Sequence, residues 1–166
     1  MTFFEKQEGR IFFIPLFLPG DIRDNKKDYA KYVFAQDSNY AFGRLIQDDK
    51  SSGDLVEVFN YTGAVPADDD VIINSGVMAS PFHVAMAFGT HRWRFVFDNK
   101  SYDKNADSNY ADLTFLLGTE DDYELWRGGK KSRISNMEAK QYKSWVVHHP
   151  TRVEEAIRNK DMSVVA

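Results

Sequence analysis

The chain contains no cysteine. That excludes a disulfide scaffold, a thiol nucleophile and any zinc centre built on thiolates. It also suits a reducing cytoplasm. No apolar run approaches the roughly 20 residues of a membrane span. The opening stretch, MTFFEKQEGR, mixes both charge signs ahead of a short apolar run and does not read as a signal peptide. Basic excess is missing too: a net charge of -4 and a pI near 5.6 argue against general nucleic-acid binding. What is present is 166 residues, 43% of them apolar and 14% aromatic. This is the composition of a globular chain long enough to bury a sizeable core, and its length suits one domain.

The small net charge conceals a split. Residues 48–122 carry 14 acidic against 5 basic residues, whereas residues 123–166 carry 9 basic against 5 acidic. One reading of the acidic middle is a solvated surface; the other is a face for a basic partner.

Most of the chain reads as short strands. Arg10–Ile14 is a compact apolar run ended by Pro15. Tyr40–Ile46 and Leu55–Phe59 follow, parted by the turn-rich DDKSSGD. Phe82, Val84, Met86 and Phe88 alternate with smaller residues, as do Trp93, Phe95 and Phe97 with Arg92, Arg94 and Val96, the period of a strand. Tyr123–Arg127 and Lys130–Ile134 flank Gly128-Gly129, the pattern of a tight hairpin. Residues 19–36 are ambiguous; one reading is a loop followed by a strand over Tyr29–Gln36 that pairs through Asp37-Ser38-Asn39 with the next one. Helices look few and short. One opens at Pro66–Asp70 and ends at Ser75-Gly76; Ser135–Glu138 and Thr151–Glu154 are capping-box patterns. No internal repeat suggests a second domain. The expected fold is mainly β (α+β): a strongly bent antiparallel sheet or barrel with a few short helices and a C-terminal helix packed on it.

Catalytic motifs are missing. There is no Gly-x-Ser-x-Gly elbow. Gly128-Gly129-Lys130 lacks the earlier glycine and the following Ser or Thr of a phosphate loop, and reads as a hairpin turn. The four histidines, His83, His91, His148 and His149, show no metal-binding spacing. Asp103–Asp107 imitates the start of a calcium loop, but Ser108 and Thr114 stand where that loop needs Gly and Glu. The acidic clusters Asp48-Asp49, Asp68–Asp70 and Glu120–Asp122 fall in expected turns or helix starts. No metal or cofactor is therefore expected.

The order of the pieces carries a resemblance. Ile14-Pro15-Leu16 closes the first strand, Tyr40-Ala41-Phe42-Gly43-Arg44 opens the next, Trp93 follows in HRWRFV, and Trp145–Pro150 precedes the last helix. From about Glu8 to Arg158 the chain resembles the immunity protein 26 family of bacterial polymorphic toxin systems. The link 17–39 is longer than that pattern expects and reads as an insertion into one immunity-like domain spanning 1–166. The resemblance implies a mainly β, non-enzymatic cytoplasmic protein that binds a cognate toxin encoded by a neighbouring gene, with no membrane partner. Many such toxins are nucleases with basic substrate grooves. On that basis Asp68, Asp69, Asp70, Glu120, Asp121 and Asp122 are candidates for an acidic docking face, with Tyr29, Tyr32 and Tyr61 as aromatic anchors. Arg44 reads as a buried ion-pair residue or a ligand contact. Two alternatives stay open. One is a small-molecule or nucleotide-binding barrel, with or without enzymatic activity, lined by His83, Arg92 and Arg94. The other is a nucleic-acid module using Trp126 and the basic hairpin.

Overall fold

The computed structural model describes residues Met1–Ala166. They form two compact units, Met1–Tyr102 with Val147–Ala166, and Asp103–Val146.

The first unit is built on a six-stranded sheet. Its strands are β1 (Ile11–Pro15), β2 (Tyr40–Asp48), β3 (Asp54–Gly63), β4 (Phe82–Val84), β5 (Arg94–Phe97) and β9 (Val147–His148), in the order β5-β1-β2-β3-β4-β9. The sheet stays open, with β5 and β9 at its edges, so the barrel alternative is not what forms. Nor is it wholly antiparallel: β9 pairs with β4 in parallel. Register shifts within the β2–β3 pair and between β1 and β5 interrupt the ladders, the kind of irregularity that bends a sheet.

Strand β1 shows why the sheet core is so apolar. All five of its residues are buried. Phe12 and Ile14 enter one core cluster, with Leu45, Val56, Trp93 and Phe95; Ile11 and Phe13 enter another, with Tyr40, Phe42 and Phe59. Side chains alternate between faces with a period of two, so a strand covered on both faces reads as an unbroken apolar run. The first face is covered by α4 (Pro150–Arg158) through Val153, Ala156 and Ile157. Leu18, Tyr29 and Phe34 of the long link, together with Ile72 of α1 (Asp70–Asn74), cover the second. Residues 17–39 thus supply part of the core, and residues 29–36 form a loop rather than a strand.

Gly43 meets a steric demand. A Cβ there would come within 2.5 Å of Phe12 Cζ and 2.7 Å of the Glu57 carbonyl. The Phe12 ring crosses that space and stacks on Trp93 at 5.3 Å between centroids.

Two further expectations shift. The strand from Phe82 stops at Val84, and Met86 takes φ +69 as the chain turns. Helix α4 starts at Pro150, before the Thr151 capping pattern, and its His149 cap makes no side-chain bond. Instead Asn25, buried in the long link, accepts from the Thr151 amide at 3.1 Å and donates to its hydroxyl at 2.8 Å. A residue 126 positions away thereby satisfies one of the helix's free amides.

The second unit carries a three-stranded meander, β6 (Thr114–Thr119), β7 (Asp122–Arg127) and β8 (Lys130–Arg133). Gly128 and Gly129, at φ +53 and +91, make the expected tight turn. Trp126 packs edge-on against Tyr110 and Trp145 and is buried. It is therefore a core residue and not an exposed stacking surface. The calcium-like Asp103–Asp107 stretch is a helix start. Asp103 accepts from the amides of Asn105 and Ala106 at the head of α2 (Lys104–Ser108), and Asp107 accepts from the Asp103 amide. Ser135 caps α3 (Asn136–Ala139) as expected, accepting from the Glu138 amide.

Candidate functional site

Buried charge in the first unit is arranged in pairs. Arg44 on β2 lies directly opposite Glu57 on β3, with Nη2 2.7 Å from the carboxylate; both side chains are buried. Tyr102 stacks over its guanidinium at 4.5 Å. Arg92 and Glu154 are wholly buried and joined by two hydrogen bonds of 2.7 Å. Glu154 also accepts from Trp93 Nε1 at 3.0 Å, while Arg92 donates to the Pro19 carbonyl and the Tyr29 hydroxyl. Charged groups removed from water at such cost are kept by complete bonding. Here the bonding ties α4 to the HRWRFV segment and to the long link.

The residues considered for a ligand pocket are therefore engaged separately. His83 is buried with Nε2 3.1 Å from Asp49. Arg92 belongs to the Glu154 network, and Arg94 lies over the Phe3 ring at 4.1 Å. A cleft of about 660 Å³ does open in this unit, but none of these three lines it.

The candidate docking residues divide between the units. Asp68–Asp70 form a turn leading into α1, where Asp68 accepts from the Asp70 amide at 3.0 Å. Each offers a carboxylate oxygen within 4.8 Å of the others, close enough geometrically to share a cation. Partial burial, together with the like charges of Asp70 and Asp68, raises the Asp69 carboxyl above its ordinary value. In the second unit, Glu120–Asp122 make the β6–β7 turn. Asn136 holds Asp121 by two bonds of 2.7 Å, and Asp122 pairs with Arg133 at 2.8 Å. All six are exposed except Asp69, which is half-buried.

Among the tyrosines, only Tyr32 is well exposed, at 43%. Tyr29 is a correction: it is buried, with Arg92 over its ring and bonded to its hydroxyl. Tyr61 is half-buried and donates to the Ala64 carbonyl. Sequence reasoning missed the roles of Glu154 and Asn25. Glu154 sits beside three apolar helix positions that enter the core, and that placement is the one signal of its burial. Asn25 gave no signal, because its partner lies far away in sequence.

The fold and these side chains define a class: a mainly β scaffold whose buried charges lock its elements together while acidic turns face solvent. The model of the immunity protein 26 family matches residues 7–123. The chain belongs to that family, and its role is that of an immunity protein in toxin systems. The match takes in β1 and the Tyr40–Arg44 stretch; the segment from Trp145 to the last helix lies beyond it. No curated protein and no solved structure matches the chain. No helix is long and apolar enough to cross a membrane.

Proposed function

We infer that the chain neutralises a cognate bacterial toxin in the cytoplasm by binding it, without catalysing a reaction. The observation that carries this reading is the family match over residues 7–123. In it, residues 1–166 act as one immunity module with 17–39 as an insertion. The toxin is the product of a neighbouring gene, and a nuclease with a basic substrate groove fits the exposed acids best. Asp68–Asp70 and Glu120–Asp122 supply negative charge at turns, where it can steer encounter with such a groove. Tyr32 is the remaining exposed candidate for an aromatic anchor.

The test is co-expression with the neighbouring gene's product and purification through a tag on one partner. A complex that survives moderate salt is the expected result; failure of the two proteins to copurify would remove the reading. Reversing Asp68, Asp69 and Asp70 to Lys should slow association and flatten its decline with salt, because the attraction that salt screens is lost. An unchanged association rate would discard the acidic docking face while leaving the binding role intact.

A further inference from the structure

The cleft in the first unit has a composition that the toxin-binding reading does not use. Its volume, about 660 Å³, is within the range of small-molecule sites. One wall comes from the end of α4 and the turn after it, where Arg158 and Lys160 both line the space. Neither cation has an ion-pair partner within the protein. Asn39, just before β2, and Asn60 and Thr62 near the end of β3 also line the cleft. Asn60 is committed, its amide donating to the carbonyls of Ser75 and Val77. The Asn39 amide and Thr62 hydroxyl remain available for a ligand. The apolar part consists of Leu16, Met78, Met162 and Ile157, which join the main core cluster. No acidic side chain lines the cleft.

A cation in the last turn of a helix has an ordinary use, since it complements the negative end of the dipole. That accounts for Arg158. It does not account for a second cation on the same cleft, for the absence of any acid there, or for the apolar side chains that share the lining with both. We propose that this cleft is a binding site for a small organic anion with an apolar body, its carboxylate or phosphate head held by Arg158 and Lys160 and its tail lying on Met78, Met162 and Leu16. The Thr62 hydroxyl and Asn39 amide add neutral donors to the head. The proposal is independent of whether the chain binds a toxin.

Four probes with one tail and different heads test it: octanoate, octyl phosphate, octanol and octylammonium. Each is titrated into the full chain, with methyl and side-chain amide NMR signals of Met78, Met162, Ile157 and Asn39 as the readout. The anions should give saturable shifts at these positions, and octanol and octylammonium should not. Saturation by only one anion would name the head group within the same proposal. Arg158→Gln and Lys160→Gln, both at exposed positions, should each weaken anion binding about tenfold or more, as expected for a charge-assisted bond. Absence of saturable shifts with either anion, equal binding of octanol or octylammonium, or affinity unchanged in both variants would overturn it.

Discussion

Glu154→Gln isolates the buried network that joins α4 to the sheet segment. The substitution keeps the side chain's size but removes its charge. Arg92 would then remain as a buried cation facing a neutral amide that can accept through only one oxygen, where the carboxylate accepts two bonds from Arg92 and one from Trp93. Both charged residues have no exposed surface. Breaking such a pair from one side costs about 3–5 kcal/mol. Set against a typical domain stability of about 5–15 kcal/mol, that is at least about a fifth of the total. With a urea slope of about 2 kcal/mol per molar, the midpoint should fall by about 2 M. Trp93 gives a local readout, because its indole N–H donates to Glu154; its hydrogen exchange should accelerate in the variant. The paired change Arg92→Met with Glu154→Leu should cost clearly less than Glu154→Gln alone, since no charge is left buried. A loss below about 1 kcal/mol in Glu154→Gln, the range of an exposed pair, would refute the reasoning.

Three further outcomes follow from the geometry. Gly43→Ala should destabilise by about 1–3 kcal/mol through overpacking, measured by urea unfolding, and Phe12→Leu in the same chain should recover part of the loss, because Phe12 is the side chain a new Cβ would strike. Asn25→Ala should cost about 1 kcal/mol, the worth of a helix cap, and should raise amide exchange at Thr151; unaltered protection there would contradict the remote cap. His148 gives a pH dependence. Burial, with Arg152, His83 and His149 nearby, holds its imidazole below the ordinary histidine value. The unfolded chain therefore takes up the proton first, and stability should fall as pH drops through about 6.5 toward the lowered native value. His148→Gln should flatten that part of the profile; an identical slope in the variant would sink the assignment.

Local chemistry explains how much of this was legible in the sequence. The Gly128-Gly129 hairpin and the Ser135 cap are contests between neighbouring residues, and their signals sit within a few positions. The Arg10–Ile14 run reads as a buried strand because both faces of β1 are covered. Tertiary partners decided the rest. Nothing near Thr151 announces that Asn25 will cap its helix. The alternation from Phe82 to Phe88 continues past Val84, where the chain turns to bring Arg92 and Trp93 onto Glu154. Tyr29 looked like a surface aromatic in a charged loop; the Arg92 network draws it inside. The acidic turns were legible as turns, since Asp and Asn bond their own backbone there, but a docking role depends on a partner that the sequence does not contain.

The measurement closest to the central claim is a titration of the neighbouring gene's toxin with the purified chain, followed through the toxin's own activity. Neutralisation by binding requires that activity fall in proportion to added chain and reach its floor at equivalence, with activity recovered when the complex is dissociated. Progressive, irreversible loss of toxin activity at substoichiometric chain would mean catalysis and would contradict the account.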